Sequence, residues 1–227
     1  MDKLPLYVSM VFGITTLITI YLFYRATNNS FITLLIIIGW LVLQTAVSLS
    51  GFYTSTDDVP PRLLLLVMPP NVMIIVLLVT QKGRRYLDAL NIKTLTLLHT
   101  VRIFVELVLY WLFVNKAVPE LMTFEGRNFD IISGLTAPIV FFIAFNKNRI
   151  HRGLLLVWNC LCLLLLINIV VNAFLSAPFP FQQFAFDQPN VAILYFPFVW
   201  LPGSVVPIVL LSHIAAIRQL VNKREVT

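Results

Sequence analysis

His99, Arg102, Glu106 and Tyr110 fall in one apolar run, residues 94 to 114, TLTLLHTVRIFVELVLYWLFV. At about 100° per residue their spacing places all four within roughly an 80° arc of one helical face. An imidazole, a guanidinium, a carboxylate and a phenol sharing a face can bind a polar or anionic solute or pass a proton. The Arg fork presents five donors suited to carboxylate or phosphate, and a desolvated Glu can carry a proton. Arg102 and Glu106, at i and i+4, are also within reach of each other, so an intrahelical ion pair is expected.

What makes these charges informative is the run that carries them, which is long and apolar enough to cross a hydrocarbon core of about 30 Å. A charge near the bilayer centre costs about 2.5 to 3.5 kcal/mol on insertion scales, so such residues face a bundle interior and mark a functional site by default. With a rise of 1.5 Å per residue, Arg102 lies about 12 Å and Glu106 about 18 Å from the inner end of the segment. His99 then extends the polar stripe inward and Tyr110 extends it outward.

The rest of the chain has the same character. It is 59% hydrophobic and 11% charged, with a mean hydropathy of +0.90, against roughly 25% charged residues in a soluble domain. Apolar runs occur at about 6 to 24, 31 to 51, 62 to 80, 94 to 114, 130 to 146, 153 to 175 and 191 to 217. The expected fold is therefore all-α, a polytopic integral membrane protein forming a single seven-transmembrane-helix bundle over residues 1 to 227. The first run is longer than the ~7 to 15 residues of a signal-peptide core and is followed by YRATNNS rather than small-x-small, so it is read as a membrane helix.

Lys and Arg set the orientation, because short loops rich in them stay on the cytoplasmic side. Arg25, then Lys82, Arg84 and Arg85, then Lys147, Arg149 and Arg152, then Arg218, Lys223 and Arg224 follow the odd-numbered runs. Asp57, Asp58, Asp187 and the balanced Lys116 to Arg127 segment follow the even ones. The N-terminus is expected outside and the C-terminus cytoplasmic, with Lys3 a minor exception, in the plasma (inner) membrane. The net charge of +6 is explained by topology and anionic headgroups, so membrane lipids and an unidentified small molecule are the expected partners, with no nucleic acid. Oligomeric assembly is left open.

Other polar residues at comparable depth are Gln44, Asn71, Asn168, Asn172 and Ser204. If the amides converge on Glu106 they line a polar cavity reached from outside; taken singly, each is interhelical glue worth under ~2 kcal/mol. Glu125, Arg127 and Asp130 in FEGRNFD make a candidate gate, with Asn128 as an N-cap and Asp130 facing the positive end of the next helix dipole. Pro69-Pro70-Asn71, and Pro197, Pro202-Gly203-Ser204 and Pro207, predict kinks that free backbone carbonyls. The loop APFPFQQFAFDQPN, with Phe179, Phe181, Phe184 and Phe186, is expected at the outer interface, as an anchor or a lid.

Cys160 and Cys162 point to different faces and read as small apolar side chains. Of the three histidines, His151 falls in a basic loop and His213 is expected at the headgroup boundary; no HExxH or structural-zinc spacing occurs, so no metal is expected. The last run has no lysine for a retinal Schiff base. No cofactor is identified. Together these features favour a membrane protein that binds or moves a small polar or anionic solute, or protons, rather than an enzyme. An intramembrane enzyme acting on a lipid, with Glu106 or His99 as base, and a sensory or assembly subunit are the alternatives.

Overall fold

A computed structural model describes residues 4–145 and 150–222. Lys3, Lys147, Arg149, Lys223 and Arg224, which contribute to the charge pattern, lie outside the described residues. Within these limits the chain is all-helical and has no strands. Its helices are α1 (Leu6–Ala26), α2 (Phe31–Leu49), α3 (Leu64–Val79), α4 (Gln81–Asp88), α5 (Ile92–Leu98), α6 (Val101–Val114), α7 (Ile131–Ala144), α8 (Arg152–Leu175) and α9 (Val206–Val221).

Five spans are long and apolar enough to cross a membrane, and six if α3 and α4 count as one broken span. The expected seven full-length spans differ at two places. The third run turns by 94° between α3 and α4, so its basic end leaves the helix axis. The fifth run forms only the 14-residue α7, about 21 Å long and short of the ~20 residues a span needs.

The expected kink at Pro69-Pro70 is displaced. Both prolines stay inside α3, and the chain breaks instead at Thr80, whose extended backbone ends α3 and whose hydroxyl accepts from the Gly83 amide at 3.1 Å. Gly83 is required there: a Cβ would lie 2.4 Å from the Leu77 backbone. α4 then docks on the end of α9, where Arg218 donates to both Asp88 oxygens at 3.0 and 3.2 Å and Gln219 donates to the Leu87 and Leu90 carbonyls.

The last run departs further from one continuous helix. Residues 191–205 hold a short 3-10 turn and a π-helical turn, Leu201–Val205, before α9 begins. Pro197, Pro202 and Pro207 remove the donors a continuous helix would need. One carbonyl in this stretch, that of Gly203, accepts the Trp40 indole N–H at 2.9 Å, which is how freed backbone is tolerated in a membrane. In the loop before it, Phe179 is buried, Phe181 stacks on Phe174 at 4.1 Å, and Phe186 is exposed.

The α5 and α6 pair forms the bundle's centre, with α1, α7 and α9 packed around it. α1 brings a row of threonines, and the Thr15, Thr16 and Thr19 hydroxyls are satisfied by their own helix carbonyls. α7 comes closest: a Cβ on Gly134 would meet the Ile103 backbone nitrogen at 2.8 Å and the Arg102 Cβ at 3.3 Å. A Gly134→Val substitution should therefore force α6 and α7 apart and cost about 1 to 3 kcal/mol. Gly39→Ala, inside α2 where a Cβ meets nothing within 4 Å, should instead be neutral or stabilising by up to about 1 kcal/mol. Unfolding midpoints in mixed detergent would separate the two.

Candidate functional site

His99, Arg102 and Glu106 lie on the buried side of α5 and α6, with Tyr110 half-buried, and their connections differ from those expected. His99 and Thr100 separate the two helices, and hydrogen bonds from the Arg102 amide to the His99 carbonyl and from the Ile103 amide to the Thr100 carbonyl carry the chain across at 3.1 and 3.2 Å. Arg102 and Glu106 are each 2% exposed, so both face the interior.

Arg102 does not pair with Glu106. Its Nε donates to Asp130 Oδ2 at 2.6 Å and its Nη2 to Asp130 Oδ1, a two-pronged ion pair between α6 and the start of α7. The fork geometry explains the choice: a guanidinium edge meets both oxygens of one carboxylate when the partner comes from a facing element. Asp130 thus leaves the gate assigned to it with Glu125 and Arg127. Glu125 is exposed, while Arg127 is exposed with its guanidinium over the Phe184 ring and its carbonyl accepting from Asn168.

On the other side, Arg102 Nη1 lies 3.0 Å from His213 Nε2. A guanidinium offers no acceptor, so Nε2 must accept, and the His213 proton sits on Nδ1. From there it is donated to Asn159 Oδ1 at 2.9 Å, and Asn159 Nδ2 passes on to the Leu155 carbonyl at 2.8 Å. His213 is fully buried. Its ring stacks on His99 at 3.8 Å and 15°, with Trp158 edge-on to His99 at 5.4 Å.

Glu106 takes a different partner. Both its oxygens lie 2.7 Å from Asn128 Nδ2, which also donates to the Met122 carbonyl, while Asn128 Oδ1 accepts from the Asp130 amide. Asn128 accepts from the Asp130 amide and holds Glu106 with its amide nitrogen, but it is not the N-cap expected of it: that position of α7 falls to Asp130, which makes no side-chain cap bond. The result is one connected string, Glu106, Asn128, Asp130, Arg102, His213 and Asn159, drawn from α6, the loop before α7, α9 and α8.

The amides do not converge on Glu106, so the alternative of separate interhelical or intrahelical contacts holds. Gln44 accepts from the Tyr53 hydroxyl, Asn71 donates to Val67 in its own helix, and Asn172 bonds to Asn168. Ser204 lies in the π-helical turn. Tyr110 stacks on Phe124 at 5.2 Å and makes no hydrogen bond to the string among the described residues. The sequence reading missed Asn128 and Asp130 as partners, and did not single out Asn159. Asn159 lies in an apolar helix, a position where an amide must bond to protein. That signal was available in the sequence.

His99 stands apart in one respect. It is 1% exposed, yet neither ring nitrogen has a hydrogen-bond partner among the described residues. Those residues also contain no group of three or more His, Cys, Asp and Glu side chains placed to hold a metal ion.

Fold and site together are compatible with an integral membrane protein built around a buried ionic core. The chain belongs to the family described as Domain of unknown function (DUF8737), whose model matches residues 59–221. Comparison with curated proteins and with solved structures gives no match. The matched region contains the whole string from His99 to His213, whereas α1 and α2 precede it.

Removing one partner of a buried ion pair strands the other charge. Arg102→Met or Asp130→Leu alone should therefore cost about 3 to 5 kcal/mol, and the double variant should recover most of that loss. The check is a double-mutant cycle of unfolding free energies in mixed micelles.

Proposed function

We propose that this protein carries protons, or a small solute exchanged against them, through the polar string at the centre of the bundle. In this reading the helices form the seven-membered bundle expected from the sequence, with the N-terminus outside, the C-terminus cytoplasmic, and the short α7 completing the set in the plasma membrane. Glu106 is the proton carrier on the outer side of Arg102. His213 and His99 continue the path inward, and the π-helical turn before α9 supplies the hinge.

The observation that carries the proposal is the orphaned His99 imidazole, stacked on a His213 that is itself bonded to Arg102. A buried polar group without a partner costs about 1 to 3 kcal/mol, so its retention calls for a purpose beyond packing. Two imidazoles in contact beside an ion pair and a second carboxyl give a chain of groups able to accept and release protons. Binding of an anionic solute directly to Arg102 is the weaker version, because Asp130 and His213 already occupy the fork.

An enzyme acting on lipid would need the titratable groups to open sideways to the bilayer. The apolar groove on α9 is lined by Pro207, Ile208 and Leu211, and His213 lies on the opposite side of that helix, about 200° from Leu211 at 100° per residue.

Purified protein in liposomes loaded with a pH-sensitive dye, with a potassium diffusion potential applied, tests the proposal. Wild type should acidify the lumen faster than empty vesicles, Glu106→Gln should reduce the rate about tenfold or more, and Glu120→Gln at an exposed loop position should leave it unchanged. Wild-type rates equal to empty vesicles, or Glu106→Gln equal to wild type, would overturn it.

A further inference from the structure

A second feature lies away from the polar string and is independent of its function. Between α2, α3 and α9 there is a groove of about 600 Å³. Its walls are Ile36, Trp40 and Leu43 of α2, Pro70 and Met73 of α3, and Leu211 of α9, among others. Its lining on α2 runs from Ser30 to Leu43, about 20 Å at 1.5 Å per residue. That is slightly more than one leaflet of a ~30 Å hydrocarbon core.

The two ends of the groove differ chemically. At one end three hydroxyls meet: Thr33 is 3.1 Å from Ser30 and 3.3 Å from the Tyr86 hydroxyl, at the positive end of the α2 dipole. Tyr86 belongs to α4, the short helix turned away from α3, whose Lys82, Arg84 and Arg85 are exposed. Arg25 is also exposed, two residues after the groove-lining Phe23. Deeper in, the lining includes the hydroxyl-bearing Ser204, which is 5% exposed and whose oxygen has no partner. An apolar trough about one leaflet long, with hydroxyls at one end, exposed cations on the short helix that carries Tyr86, and an unsatisfied hydroxyl in its wall, matches the chemistry of a lipid molecule.

We infer that this groove binds one anionic phospholipid, its acyl chain lying along α2 and its phosphate held at the mouth by the Ser30, Thr33 and Tyr86 hydroxyls and the cations of α4. Juxtamembrane cations contribute about 1 kcal/mol each towards anionic lipid, so three on α4 yield clear selectivity over a zwitterionic lipid with the same chains. The groove is built jointly by α2, which precedes the family match, and by α3 and α9 within it.

The test uses protein released from vesicles of equimolar phosphatidylglycerol and phosphatidylcholine with identical chains, with retained lipids identified by native mass spectrometry. Wild type should hold one phosphatidylglycerol in preference to phosphatidylcholine by about tenfold or more. Gly39→Phe projects a ring into the groove from a position where a Cβ meets nothing within 4 Å, and should abolish retention. Met73→Trp fills the same space from the opposite wall and serves if Gly39→Phe does not fold. Lys82→Gln/Arg84→Gln/Arg85→Gln should keep a lipid but lose the preference. Retained lipid that mirrors the vesicle composition, or undiminished phosphatidylglycerol retention in a folded groove-filling variant, would overturn the inference.

Discussion

A guanidinium in the middle of an apolar bundle must be neutralised, and the way Arg102 meets that demand organises the structure. Its two-pronged pair with Asp130 draws the start of α7 onto α6, and its third contact, to His213, draws in α9. Gly134 allows the approach by leaving no Cβ in the way of the α6 backbone. Charge neutralisation and helix packing are thus one event here: the ion pair forms only if the helices close, and the desolvated charges penalise any arrangement in which they do not.

The consequence for chemistry is a division of labour between the two acidic groups. Asp130 is committed to Arg102, which leaves Glu106 held by a neutral amide, Asn128, rather than by a cation. A carboxyl bonded to an amide can exist with or without its proton without breaking the ion pair beside it. The histidine stack lies on the far side of Arg102, joined to it through His213. The core therefore combines a fixed charge pair with protonatable groups at both ends, and the lipid groove sits on the opposite side of α9, facing away from both.

Much of this was legible in the sequence. The helical phase of His99, Arg102 and Glu106 placed them on one face, which the bundle buries, and the runs at 6 to 24, 31 to 51 and 153 to 175 located α1, α2 and α8 to within a few residues. The proline-rich stretch before α9 indicated broken helix and exposed carbonyls, one of which Trp40 satisfies. Partner choice was not legible. Arg102 and Glu106 at i and i+4 make the obvious pair within one helix, but Asp130, 28 positions away, wins because a facing carboxylate satisfies the guanidinium edge-on. The same long-range pairing took Asn128 from a cap to a ligand of Glu106. Nor did the sequence show α3 turning at Thr80 rather than at its prolines, because the bend is secured by α4 docking on Arg218 and Gln219, contacts more than a hundred residues apart.

The central claim is that Glu106 exchanges a proton while Asp130 stays locked to Arg102. Infrared difference spectroscopy of the protein in lipid, stepped in pH and compared with Glu106→Gln, reads this directly through the carbonyl stretch of a protonated carboxyl. The account predicts a titrating band from a buried carboxyl that disappears in Glu106→Gln. A band that persists in Glu106→Gln, or a wild-type protein with no titrating buried carboxyl, would contradict it.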